Sequence, residues 1–191
     1  MITDKGKKSR ERIISAAMQL FKLKGYLQTS VSEICQDAQV ATGTFYHYFK
    51  SKQDILNGYV AQENQGMQAY YQSLHESSYA QTILKVVDYK VEIFTNNGRN
   101  LVADLISVVL PKPGTFNVLE YEFTAITADA YRKGQLAGEF TSEISPESFA
   151  NTAACIFFFT AIQWSYQPNF PALPVTLHEK FVEILKLHQQ K

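Results

Sequence analysis

The chain has 191 residues, 46% of them hydrophobic and 19% charged, with 18 basic against 18 acidic side chains. That length suits one domain or two small ones with a sizeable core, and the apolar fraction excludes a chain disordered throughout. The longest apolar run, about ten residues around Ala153–Ile162, is short of the ~20 a membrane-spanning helix takes, and no signal-peptide pattern follows the charged start, so a soluble cytoplasmic protein is expected.

Taken in chain order, nearly every periodic segment fits a helix and none fits a strand pair. Ile13, Ala17, Leu20 and Phe21 recur at helical spacing, with Gly25 as a C-terminal stop. Val31, Ile34, Cys35 and Ala38 make a short second helix, opened by Ser30 with Glu33 three residues on, the capping-box arrangement. A third runs from Thr42 to Phe49, and Ser51 with Asp54 caps a long fourth over about 53–76. Ile83, Val87, Val91 and Phe94 mark a fifth, closed at Asn96–Gly98; Leu101, Leu105 and Val109 mark a sixth that stops before Pro111. Phe116, Leu119, Phe123, Ile126 and Ala130 share a stripe of a seventh that ends near Gly134. Ser145–Pro146 starts an eighth, apolar almost all round, and Thr176 with Glu179 caps a last one. The expected fold is all-α, about nine helices, divided into a trihelical head over residues 1–52 and a helical body over 53–191.

Charge supports that division. Residues 1–60 hold nine bases and five acids, leaving nine and thirteen for the rest, so only the head is suited to a polyanion. On a helical wheel of the third helix, Phe45, Tyr48 and Phe49 face inward, while Thr42, Gly43, Tyr46 and His47 face outward with Thr44 at the edge. Gly43 removes bulk so that the backbone can approach a partner. The hydroxyls and imidazole offer hydrogen bonds to phosphates and base edges in a major groove. Lys50 and Lys52 flank the start of the fourth helix, and the basic arm over 5–12 stands ready for backbone or minor-groove contact, or else is a frayed, solvated tail.

The stretch from Ser30 to Leu56, with G-T-F-Y-H-Y-F-K-S-K at Gly43–Lys52 as its sharpest part and L-F-x-x-x-G-Y at Leu20–Tyr26 before it, resembles the helix-turn-helix signature of TetR/AcrR transcriptional regulators. The resemblance covers about the first sixty residues. It implies a homodimeric bacterial repressor that binds double-stranded operator DNA through the third helix. It further implies a small-molecule effector held in the body and a dimer formed by the last two helices. By position, Ser30, Thr42, Gly43, Thr44, Tyr46, His47, Tyr48 and Lys52 match the family's DNA-contacting residues. Two positions depart from the pattern: Gln39 stands where the turn usually has glycine, and Ala41 where serine usually caps the recognition helix, with Thr42 next in line to shift that cap. Thr42 also occupies a place often held by lysine, so base preference does not transfer.

In the body, Tyr89, Phe94, Phe116, Tyr121, Phe123, Phe157 and Trp164 suit either the lining of an effector cavity or plain core, and they lean towards an apolar or aromatic ligand. Asp88, Asp104 and Glu120 read as solvated, and Ala150, Ala153, Ala154 and Ala161 as small residues that let another helix approach. Cys35 and Cys155 read as buried thiols without a disulfide or metal spacing. His75, His178 and His188 are isolated, and no nucleophile-elbow, Walker or dinucleotide motif occurs, so no cofactor, metal or catalytic residue is expected. Two rival readings remain at this stage: a constitutive DNA-organising protein without an effector, and a small all-α enzyme.

Overall fold

The computed structural model describes residues 4–109 and 122–189, and within them every regular element is a helix. These are α1 (Asp4–Lys24), α2 (Val31–Asp37), α3 (Thr42–Tyr48), α4 (Lys52–Ser73), α5 (Tyr79–Val109), α6 (Glu122–Leu136), α7 (Pro146–Tyr166) and α8 (Leu173–Gln189). The all-α expectation holds. The fifth and sixth expected helices are both present as the two arms of α5, separated by a bend where the sequence indicates, at Gly98, which adopts φ 76°, ψ 162°, a non-helical region that only glycine enters readily.

Local chemistry sets most of the boundaries. α1 ends as expected at Gly25, whose φ of 94° is left-handed and whose N–H reaches Phe21 O at 2.9 Å. Residues 5–12, expected as an arm, belong to the first turns of α1. At the head of α2, Ser30 Oγ accepts from Glu33 N and Glu33 returns a carboxylate to Ser30 N at 2.8 Å. Glu33 also pairs with Lys24, and these bonds hold its carboxyl down at about 2. α7 starts at Ser145–Pro146 as the sequence indicates, with Ser145 Oγ accepting from Ser148 N at 3.1 Å.

Three boundaries differ from expectation. α6 runs through Gly134 to Leu136 and stops at Gly138, where Glu139 N bonds Gly134 O at 2.9 Å. Gly134 is small for a different reason: a Cβ there would lie 2.3 Å from the Phe140 ring. α8 starts at Leu173, ahead of the Thr176–Glu179 pair, because Pro174 is tolerated in a first turn; Thr176 Oγ1 then donates back to Ala172 O. α4 ends at Ser73, and Ser51 makes no side-chain cap; Asp54 instead accepts from Lys50 N at 2.7 Å.

Two hydrophobic cores result. The head core gathers Ile13, Phe21, Ile34 and Phe45 from α1–α3, and it also takes Ile55 and Leu56 from α4 and Leu101 from α5. The body core stacks Val87 and Phe94 of α5 with Phe123, Phe157, Phe181 and their neighbours, and includes Met67 from the far half of α4. α4 and α5 therefore each contribute to both cores. At 22 residues α4 spans about 33 Å, enough to bridge them.

Candidate nucleic-acid interface

The outward face of α3 is built as its wheel implies. Phe45 and Phe49 are buried in the head core, and Arg10 of α1 lies over the Phe49 ring at 5.4 Å. Thr42, Gly43, Tyr46 and His47 are exposed, Tyr46 by 57%, while Thr44 and Tyr48 are half-buried at the edges. The His47 ring meets Tyr48 edge-on at 4.8 Å, which fixes its direction. A Cβ built on Gly43 would find nothing within 4 Å, so nothing inside the fold requires glycine there. The residue leaves room for something that approaches from outside.

The turn between α2 and α3 accommodates both departures from the family pattern. Gln39 takes the left-handed conformation, φ 53°, that a glycine would take more easily. Gln39 N bonds Gln36 O at 3.1 Å and Val40 N bonds Cys35 O at 3.0 Å, the paired bonds that close a helix on a left-handed residue. Ala41 occupies the N-cap of α3 without a side-chain bond, and Thr42 does not take over the cap: it is the first helical residue.

Beside α3 lies an open groove of about 420 Å³, lined by Gln28, Thr29, Ser30, Tyr46, Lys50 and Ser51 among others. It brings Ser30 of α2, Tyr46 of α3 and the α3–α4 connection, residues separate in sequence, to one concave surface. Lys52 borders the same groove but is placed otherwise than a phosphate ligand would be. Its Nζ donates to Tyr26 O at 2.6 Å, Thr29 O at 2.7 Å and Leu27 O at 3.4 Å, above the Tyr26 ring at 4.3 Å. All three N–H bonds are thus committed to the α1–α2 turn, and burial pushes its pKa down. Lys52 braces the turn and gives the groove only its positive field.

The same turn and the end of α1 are also held by residues of α5 that pattern reading missed. Asp104 of α5, expected on a solvated face, accepts from Leu27 N at 2.9 Å, and its carboxylate would sit 2.5 Å from a Cβ on Gly25. Asn100 Nδ2 donates to Leu23 O at 3.0 Å. These partners are 77 residues apart, and no local signal in the sequence links them.

Among the aromatic residues considered for an effector site, Phe94, Phe123 and Phe157 meet, with Phe157 5.1 Å from each of the other two rings. Trp164 belongs to the same core, under the Arg99 guanidinium at 4.8 Å. Tyr89 packs against the edge of the same core, stacked on Tyr70 of α4 at 4.5 Å. Phe116, Tyr121 and Glu120 lie outside the described residues. Ala150, Ala153, Ala154 and Ala161 are buried against the body's own helices, so they are unavailable to a second copy. The outer side of α7 carries Phe159, exposed by 62%, with Tyr166 and the free Cys155, which is exposed rather than buried as expected. Among the described residues no three metal-ligating side chains cluster, and no helix is long and apolar enough to cross a membrane.

Comparison with known proteins agrees with this geometry. The family model for bacterial regulatory proteins, tetR family, matches residues 13–59. The chain is 26% identical over 146 residues to the HTH-type transcriptional regulator UidR of Escherichia coli, covering 72% of this chain and 71% of that one. A 47-residue stretch is 49% identical to the HTH-type transcriptional regulator HbdR of Aromatoleum sp., covering 25% of this chain and 20% of that one. Among solved structures, Thermus thermophilus FadR, a TetR-family transcriptional repressor in complex with lauroyl-CoA, superposes with a TM-score of 0.70 at 24% identity over 95% of both chains. Salmonella enterica GusR superposes with a TM-score of 0.69 at 19% identity, over 93% of this chain and 95% of that one. The family model thus places a tetR-family DNA-binding domain at residues 13–59, within the helix-turn-helix head that exposes the polar face of α3, and the chain as a whole is similar to transcriptional regulators of that family.

Proposed function

We propose that the protein is a cytoplasmic repressor, acting as a regulator and not as an enzyme, that binds an inverted-repeat operator as a homodimer and is released by a small molecule. The observation that carries this reading is the outward face of α3, where open space over Gly43 adjoins exposed Thr42, Tyr46 and His47. Such a face suits base edges, while Ser30, Tyr48 and the groove beside them suit phosphates. The second copy would dock on α7 and α8, whose outer sides expose Phe159, Tyr166 and Val175. Pairing through that face sets two recognition helices in successive major grooves.

The effector would occupy the aromatic body around Phe94, Phe123 and Phe157, which favours an apolar or aromatic ligand. The T. thermophilus neighbour and FadR of Bacillus subtilis were solved with acyl-CoAs, ligands with long apolar tails, which supports the same leaning. Displacement of α4 and of α5 beyond Gly98 would shift the α1–α2 turn that Lys52 and Asp104 hold. Couplings of about 1–3 kcal/mol are usual for such linkage and weaken DNA binding about 5- to 150-fold. Selection of bound fragments from the protein's own genome, followed by footprinting, tests the reading. Two protected half-sites related by a dyad, spaced by about one helical turn of 10 bp or a multiple, are expected. Protection without a dyad, or none at all, overturns it.

A further inference from the structure

The two residues that follow the Gly98 bend finish two different helices. Arg99 lies over the Trp164 ring at 4.8 Å, and its Nη1 donates to Trp164 O and, at 2.7 Å, to Gln167 O. These carbonyls belong to the last turn and the C-cap of α7. One of them lacks its ordinary partner: in a continuing helix Trp164 O would accept from residue 168, which is proline and has no N–H. The guanidinium takes that place and also complements the negative end of the α7 dipole. Asn100 reaches the head instead, donating from Nδ2 to Leu23 O at 3.0 Å. Leu23 O and Leu27 N would bond each other if α1 ran on. Asn100 takes the first, and Asp104, one turn along the same face of α5, takes the second at 2.9 Å. The end of α1 comes so near that a Cβ on Gly98 would lie 3.9 Å from Lys22 O.

Side chains at consecutive positions of a helix diverge by about 100°, so one rigid arm serves both helix ends. It fastens the C-terminal end of α1, in the reading head, to the C-terminal end of α7, in the body. We propose that Arg99 and Asn100 are positioning residues for operator recognition: they fix the angle between the head and α7, and with it the separation of the two recognition helices in the dimer. Both act through the helix ends they cap. The inference rests on the reading of a dimer docked through α7 and α8 on an inverted repeat, and it assigns the residues that set its spacing.

The test uses the full chain and four DNA duplexes: the selected operator, the same operator with one base pair added or removed between its half-sites, and a single half-site. An added base pair moves the half-sites apart by about 3.4 Å and turns one against the other by about 35°. The unaltered protein is expected to bind each shifted operator about tenfold more weakly than the native one, and Arg99→Met to narrow that difference to about threefold, a loss within the usual range of coupling between sites. Methionine keeps an apolar stem over Trp164 and removes both donated bonds. Asn100→Ala should narrow the difference in the same way from the head's side, and half-site affinity should stay unchanged in both variants. A merely structural role would lower affinity for all four duplexes alike. That outcome, or an unchanged spacing profile in either variant, overturns the inference. Asn100 is exposed, so Asn100→Ala alone decides the matter if Arg99→Met does not fold. The two readings fail differently. An unaltered protein indifferent to spacing removes the inverted-repeat dimer and the positioning role together; a sharp preference that both variants retain removes only the positioning role.

Discussion

At the scale of single residues, Gly43 and Gln39 are informative because each departs from what the fold alone would choose. A Cβ at position 43 meets only open space, and glycine within a helix is less stable than alanine by about 0.5–1 kcal/mol. Gly43→Ala is therefore expected to raise the melting temperature while weakening operator binding, a split that thermal unfolding and a binding titration would resolve. A loss of stability would mean that the glycine serves the fold after all. Gln39 holds φ 53°, a conformation that costs a non-glycine residue about 1–2 kcal/mol. Gln39→Gly should stabilise the head by up to about 1 kcal/mol in denaturant unfolding, the gain being trimmed by the freer unfolded chain. The outward face of α3 was legible in the sequence because side-chain direction on a helix follows from spacing alone. The commitment of Lys52 was not, because its acceptors are backbone carbonyls of a turn some 25 residues away, and carbonyls carry no residue-type signature.

At the scale of elements, the α1–α2 turn is clamped from two sides, by Lys52 at the start of α4 and by Asp104 and Asn100 on α5. Lys52→Met removes the clamp on one side and leaves the groove's hydroxyls and backbone in place. Operator affinity and thermal stability should both fall, while the slope of log K against log salt changes by less than the ~0.9 that one lost phosphate contact on B-DNA removes. A loss of a full contact's worth of slope, with stability unchanged, would return Lys52 to the phosphates. Helix existence was readable from periodicity throughout the described chain, and so were the starts of α2 and α7, where serine and proline act locally. The ends of α4 and α6 and the start of α8 were not. Gly134 answers to Phe140 from another segment, and the Thr176–Glu179 pair mimics a start that the chain makes one turn earlier.

For the whole molecule, the proposed dimeric binding requires two heads at fixed separation, which makes dimerisation and DNA binding one equilibrium. Phe159→Asp places a charge on the exposed side of α7 where the second copy is proposed to dock. Sedimentation should show a monomer, and operator affinity should fall far more than non-specific affinity, since one head alone still binds a polyanion. An unchanged dimer would move the interface elsewhere. Charge and the motif point to a basic head and an acidic body. The sharing of core residues across that division was not legible, because Leu101 and Leu105 follow the same periodicity as any body-facing leucine and only the bend at Gly98 turns them towards α1.

That bend has a practical consequence for exchanging reading heads between relatives. Cutting between α3 and α4 would give the transplanted head a foreign α4 start and a foreign second arm of α5, and so a mismatched seal over Phe21 and Phe45. A chimera that also carries the donor's α4 start and residues 99–105 would retain the plug that closes its hydrophobic interior. Of the two designs, the longer graft should give the soluble, specific hybrid.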